Sequence, residues 1–155
     1  LDAGVVYITN EPVQLEALGY ETNLIRVADI AAMVSNGLVT NEKTIAENPE
    51  LVERMTRAFV KGLRYTMENP DEAYEICLKA IDNLRDVENQ ALQKAVLNAT
   101  IQLYMPEDGR ALGTSDEASW NNMAEVMTEM GLLTGGVDGS DAFTNEFIPD
   151  LDAGK

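Results

Sequence analysis

The sequence predicts an α/β chain, rich in helix with a few short strands. Three observations predict it. A β-branched and aromatic run stands near the start, two Asn-Pro-acid triplets each open a helix, and apolar residues recur at helical spacing through the middle and late chain. With 155 residues, 45% of them hydrophobic, there is apolar material for one packed core, and the length suits one domain or part of a larger one.

The first strand is expected at Ala3 to Ile8, where Val5, Val6, Tyr7 and Ile8 suit a buried pleated segment that needs neighbours. Thr9-Asn10-Glu11-Pro12 breaks it and opens a helix over Val13 to Leu18. Pro12 fits the first turn, Thr9 or Asn10 can cap it, and Gly19 closes it. Thr22 to Val27 alternates as a second strand. A third, Gly37 to Thr40, follows the small-residue stretch Ala28 to Asn36.

Asn48-Pro49-Glu50 and Asn69-Pro70-Asp71 each supply a capping side chain, a first-turn proline and an acid that favours the helix dipole. In the helix after Asn48, Leu51, Met55, Ala58, Phe59, Gly62, Leu63 and Thr66 share a face, while Glu50 can pair with Arg54 and Glu53 with Arg57. A further helix is expected over Glu88 to Tyr104. Leu92, Val96, Ala99 and Leu103 form one apolar face, and Leu97, Ile101 and Tyr104 another. Met105-Pro106-Glu107-Asp108-Gly109 ends it in a loop, and Thr114 to Glu117 has the capping-box pattern of a last long helix. That helix carries Trp120, Met123, Met127 and Met130, whose spacing reads as a core face, and it ends at Gly131. The tail from Thr134 to Lys155 is rich in glycine and aspartate. Its apolar island, Phe143 to Ile148, is expected to dock as a short helix, with the last residues frayed.

Charge removes several functions. Acidic residues number 27 against 11 basic, a net charge of −16 that repels the phosphate backbone and anionic membrane surfaces alike. Neither nucleic-acid binding nor direct membrane insertion is expected, because no stretch approaches the roughly 20 apolar residues of a membrane span. Leu1-Asp2-Ala3-Gly4 lacks the basic start of a secretory signal, and the first residue is not methionine, which suggests a processed chain or a fragment. Cys77 is the single cysteine, set on the apolar side of a helix, so it is expected to be a buried thiol and forms no intrachain disulfide.

The chain has no histidine, which takes away the commonest general base and metal ligand and excludes Ser-His and Cys-His chemistry within it. No carboxylate spacing singles out a catalytic pair. Asp138-Gly139-Ser140-Asp141 lacks the alternating oxygen ligands of a calcium loop and reads as a plain turn. No catalytic residue, metal or cofactor is assigned.

The candidate binding residues are Tyr7, Thr9, Asn10 and Glu11, in the run Val6-Tyr7-Ile8-Thr9-Asn10-Glu11-Pro12. Ligands of open α/β sheets settle beyond the carboxyl ends of strands, where these side chains would converge. A tyrosine can stack on a flat ring, while Asn10 and Glu11 take amino or amide hydrogens. The alternative is purely local, with Thr9 or Asn10 a helix cap and Glu11 a dipole partner.

Asp2 to Pro12, followed by Ser35-Asn36-Gly37-Leu38-Val39-Thr40-Asn41-Glu42, resembles the thiamine-pyrimidine-precursor type of periplasmic solute-binding protein, a thiamine-biosynthesis-like family. The resemblance continues through Asn48-Pro49-Glu50-Leu51-Val52, Asn69-Pro70-Asp71-Glu72-Ala73, the Trp120 helix with Gly131-Leu132-Leu133, and Thr144-Asn145-Glu146-Phe147-Ile148-Pro149. It implies the C-terminal portion of a two-lobe type II periplasmic-binding-protein fold. Residues 1–34 would be the end of the second lobe and the hinge crossing, 35–133 the return to the first lobe with its packing helices, and 134–155 a tail.

It further implies a substrate-binding component of an ABC importer, periplasmic or otherwise extracytoplasmic, free or lipid-anchored, that binds a small solute and presents it to a permease. The solute would be an aminopyrimidine or similar heterocycle, with a flavin, a sulfonate or nitrate as alternatives. Relatives of this family also include enzymes that build the thiamine pyrimidine. A helical protein-interaction module is a further alternative, favoured if the early strands prove unpaired and the acidic helices expose an apolar patch.

Overall fold

The computed structural model describes residues 3–105 and 109–151. They form helices α1 (Glu11–Ala17), α2 (Glu42–Glu47), α3 (Pro49–Glu68), α4 (Pro70–Ala80), α5 (Gln90–Ile101) and α6 (Glu117–Glu129). Short 3-10 turns stand at Val27–Asp29, Leu84–Asp86 and Gly139–Ala142. The chain divides into two compact units, one of Leu1–Ile25 with Gly62–Leu112, the other of Arg26–Lys61 with Gly113–Lys155.

The three expected strands are not formed among the described residues. Residues 3–7 run without regular pairing, 22–26 lead into the Val27–Asp29 turn, and 37–40 stay open, so Val5, Ile25 and Val39 project into solvent. A strand is stabilised by cross-strand side-chain pairs and a hydrogen-bonded ladder, and β-branched composition alone supplies neither. Helices close their own hydrogen bonds and so form where strands without neighbours do not.

In the first unit, α1 and α4 both pack on α5. Pro12 is buried in the first turn of α1, which ends where Gly19 takes φ +85° and Tyr20 N–H reaches Leu15 O at 2.9 Å. The helix Pro70–Ala80 begins where the Asn-Pro triplet predicts, but Asn69 does not cap it. Its Nδ2 donates instead to Tyr65 O of the preceding helix at 3.2 Å. Tyr74 of α4 is buried and hydrogen-bonds Gln90 Oε1, while Gln90 Nε2 donates to Leu84 O at 2.7 Å and Val87 O at 3.0 Å. One glutamine thereby ties α4, the turn after it and the start of α5. Lys94 of α5 adds an ion pair to Asp71 at 2.7 Å. Helix α5 is shorter than expected, starting under the cap of Asn89, whose Oδ1 accepts Leu92 N–H at 3.0 Å. Its two apolar faces are partly covered and Ile101 is buried. Cys77 is half-buried rather than buried. Of the loop expected over Met105 to Gly109, Pro106, Glu107 and Asp108 lie outside the described residues, as do residues 152–155, which were expected to fray.

In the second unit, α2 is an element the periodicity did not show. Asn41 Oδ1 accepts both the Thr44 N–H at 2.8 Å and the Thr44 hydroxyl at 3.0 Å. Asn48 caps α3 through the Leu51 N–H at 3.3 Å. Glu53 pairs with Arg57 as expected, whereas Arg54 Nε donates to the Glu50 carbonyl rather than its carboxylate, at 3.3 Å. Along α3, Val60 is 2% exposed, yet Leu51, Met55 and Phe59 of the expected apolar face are exposed. That stripe is helical in period but has no cover among the described residues.

The cap of α6 is Asp116, which accepts Ser119 N–H at 2.8 Å, two residues later than the Thr114 capping box suggested. Gly131 ends this helix at φ +73°. Trp120, Met123 and Met127 are half-buried, as a packing stripe should be, but Met130 is exposed. The expected turn over Asp138 to Asp141 is the start of the 3-10 turn Gly139–Ala142, capped by Asp138 and seated on α6, with Gly139 N–H donating to Asn121 Oδ1 at 2.8 Å. Phe143 stacks on Trp120, ring centres 5.6 Å apart and planes within 8°. The Phe143–Ile148 island therefore docks through Phe143, though without forming the expected helix.

Candidate functional site

Residues 7–11 close on themselves. Asn10 N–H donates to Tyr7 O at 2.9 Å, the signature of a tight turn, and Tyr7 N–H donates to Glu11 Oε2 at 3.1 Å. The turn exists because Pro12 fixes the start of α1 immediately behind it, and α1 is itself held by α5. Asn10 occupies the N-cap position, but its side chain makes no cap bond. Its Oδ1 instead accepts Gln14 Nε2 at 2.7 Å.

The predicted residues fall within five consecutive positions, all in this turn and the start of α1. Tyr7 is 65% exposed, its ring free to stack, while Thr9, Asn10 and Glu11 are half-buried. The local roles read from the sequence are present for Glu11, which sits in the first turn of α1 and also accepts the backbone N–H of Tyr7, but not for Asn10, which makes no cap bond. Gln14 was not anticipated. Its signal is the i, i+4 spacing from Asn10, at which helix side-chain amides meet.

Two hollows lie elsewhere. One of about 500 Å³ is lined by Tyr74, Glu75, Leu78, Arg85, Gln90, Ala91 and Lys94, and one of about 370 Å³ by Glu53, Arg57 and residues 146–150. Neither is lined by Tyr7, Thr9, Asn10 or Glu11. The cations of the first are engaged, Arg85 Nε donating to Leu78 O at 2.8 Å and Lys94 pairing with Asp71. Hydrogen bonding to Asp71 raises the pKa of Lys94 above the ordinary lysine value. Asp138 is shifted down by hydrogen bonds from the Ser140 hydroxyl and N–H, which also hold the start of its turn. Among the described residues no group of three or more metal-ligating side chains is gathered, and no helix is long and apolar enough to cross a membrane.

A family model described as NMT1/THI5 like matches residues 1–73. The riboflavin-binding protein RibY of Chloroflexus aurantiacus is 39% identical over 145 residues, 92% of this chain and 41% of that protein. The 4-amino-5-hydroxymethyl-2-methylpyrimidine phosphate synthase of Legionella pneumophila is 29% identical over 155 residues, 97% of this chain and 46% of that protein. The formylaminopyrimidine-binding protein of Halalkalibacterium halodurans is 26% identical over 141 residues, 90% of this chain and 42% of that protein. The chain thus spans less than half the length of these curated relatives. No solved structure matches it significantly. The family match covers the Tyr7–Pro12 turn, and the resemblance read from that run is to the NMT1/THI5-like family, as the matched model and the named relatives agree.

Proposed function

We propose that the full-length protein containing this chain is a solute-binding protein that captures a small heterocycle, and that Tyr7, Thr9, Asn10 and Glu11 belong to its binding site. The observation that carries the reading is the turn closed by the Tyr7 N–H and Glu11 Oε2 at 3.1 Å, which gathers a carboxylate, an amide and a tyrosine 65% exposed within five residues. Such a group can stack on a flat ring and hydrogen-bond its edge. Two relatives are named for the riboflavin and the formylaminopyrimidine that they bind, which supports the class of solute. Glu11 disfavours nitrate or a sulfonate, since a bare anion beside a carboxylate is repelled.

In this reading residues 1–34, 35–133 and 134–155 serve as the end of the second lobe with its crossing, the return to the first lobe, and the tail. The solute touches both lobes only in the closed form, so binding shifts the population toward closure. An ABC permease receives the solute from the closed form, and the protein works outside the cytoplasm, with a lipid anchor as one means of retention.

The test is a thermal-shift screen of the full-length protein against 4-aminopyrimidines, riboflavin, sulfonates and nitrate. A heterocycle that raises the melting temperature while sulfonates and nitrate do not is the expected result, because a ligand of the native state stabilises by mass action. A shift by the anions alone would overturn the assignment.

The Legionella relative, named as a synthase, favours a second reading in which the longer protein is an enzyme. This chain has no histidine to offer such chemistry. Turnover of a bound pyrimidine by the full-length protein would decide for it. The unpaired segments 3–8 and 37–40 and the exposed Leu51, Met55 and Phe59 favour an interaction module. We assign those surfaces to the rest of the longer protein, whose relatives extend well beyond the matched length.

A further inference from the structure

The chain contains a single Asn-Gly pair, Asn36-Gly37. Both residues are exposed in the irregular stretch 31–41, and Asn36 sits at its bend. Neither the Asn36 side chain nor the Gly37 N–H has a hydrogen-bond partner among the described residues. Asparagine is chemically labile because the backbone nitrogen of the next residue can attack its side-chain Cγ. A side chain on that next residue obstructs the attack, and a hydrogen-bonded backbone keeps the two atoms apart. Glycine and an unheld bend remove both obstacles.

Two other sites in the chain lack one of these conditions. Asp138-Gly139 could close the same ring with loss of water, but Gly139 N–H donates to Asn121 Oδ1 at 2.8 Å. Asp138 Oδ1 in turn accepts the Ser140 N–H at 2.9 Å and hydroxyl at 2.7 Å. Asn23 is exposed and outside regular structure, like Asn36, but Leu24 follows it.

We infer that Asn36 is a site of spontaneous deamidation in the folded protein. The Gly37 nitrogen gives its proton to water or hydroxide and bonds to Asn36 Cγ. The Cγ–Nδ2 bond breaks, and the amide nitrogen takes a proton and leaves as ammonia. Water then opens the cyclic imide at either carbonyl, giving aspartate or isoaspartate. The net change is amide plus water to acid plus ammonia, and no oxidant or reductant is needed. Because the electrophile is Cγ, the direction in which the amide is turned is immaterial. Each event adds a negative charge at the entry to residues 37–40, and isoaspartate also adds a backbone carbon there. Cover of 37–40 by the longer protein therefore leaves the Gly37 N–H unbonded.

The experiment incubates the full-length protein at mildly alkaline pH, native and in guanidinium chloride. Peptide mass spectrometry and isoaspartyl methyltransferase labelling follow positions 23, 36 and 138 in wild type, Gly37→Ala and Asn36→Gln. A methyl group at position 37 meets nothing within 4 Å, so Gly37→Ala keeps the fold. Native Asn36 is expected to convert close to its unfolded rate and about tenfold or more faster than Asn23. Gly37→Ala should slow it about tenfold, and Asn36→Gln should remove the signal. Isoaspartate at position 138 should form about tenfold or more slowly until denaturant frees the Gly139 N–H. Native Asn36 held about tenfold or more below its unfolded rate, or converting no faster than Asn23, overturns the inference. A rate indifferent to Gly37→Ala overturns it as well.

Discussion

Replacing Gly139 by alanine should cost the second unit more than its single added methyl group suggests. A Cβ there would lie 2.4 Å from the Trp120 carbonyl carbon, 2.5 Å from Asn121 N and 2.5 Å from Trp120 O. All three are backbone atoms of α6, so no flexible side chain can retreat and the 3-10 turn itself must lift. Lifting it strains the Gly139 N–H bond to Asn121 Oδ1 and the stack of Phe143 on Trp120. Overpacking of this kind costs about 1–3 kcal/mol, and loss of the hydrogen bond adds about 1 kcal/mol.

The internal control is Gly62→Ala on α3, where nothing lies within 4 Å of the added methyl. A helix interior favours alanine over glycine by about 0.5–1 kcal/mol, so this change should stabilise. Urea unfolding measures both, followed for Gly139→Ala by emission of Trp120, the single tryptophan of the chain, and for Gly62→Ala, which lies in the first unit, by far-UV circular dichroism. If Gly139→Ala keeps the wild-type midpoint and emission, the close approach of the turn to α6 is not a constraint and the reasoning fails.

Gln90→Ala removes the Oε1 acceptor of Tyr74, which keeps only the Gln90 carbonyl at 3.3 Å, and takes the side-chain donor from the Val87 carbonyl and from the Leu84 carbonyl, which keeps only Val87 N–H at 3.3 Å. A loss of about 1–2 kcal/mol is expected from the bonds removed, read as a lower urea midpoint by far-UV circular dichroism. The pKa of Lys94 is raised in the folded state, so its pairing with Asp71 contributes below the ordinary lysine pKa and is lost as pH rises through the folded value. The pKa of Asp138 is lowered, so its contribution is present above the ordinary carboxylate pKa and lost as pH falls through the folded value. Melting curves against pH should accordingly show the deficit of Lys94→Met vanishing at the alkaline end and that of Asp138→Asn at the acid end. Finally, Met55→Gln with Phe59→Gln on the exposed face of α3 should leave the melting temperature of this chain unchanged but lower that of the full-length protein. Equal effects in both would contradict the assignment of that face to the rest of the protein.

The helix starts were legible because a cap and a first-turn proline act within a few residues. Pro49 and Pro70 begin α3 and α4 as expected, and Gly19 and Gly131 end α1 and α6. The choice of cap was less legible, since Asn48 caps while Asn69 turns back to Tyr65 O, and Asp116 displaces the Thr114 pattern. Strands failed for the opposite reason. Their stability lies in partners distant in sequence, and Val5 or Val39 carries the propensity without the partner. The candidate site was legible as the run Tyr7 to Glu11, but the side-chain bond between Asn10 and Gln14 was not, because it forms only once α1 brings positions four apart together.

The most direct measurement titrates wild-type and Glu11→Gln full-length protein with the heterocycle that gives the largest thermal shift. Saturable binding by wild type and a loss of about tenfold or more in Glu11→Gln are expected, since the substitution trades a charged acceptor for a neutral amide. Equal affinity in the two proteins would contradict the claim that the Tyr7–Glu11 turn forms part of the solute site.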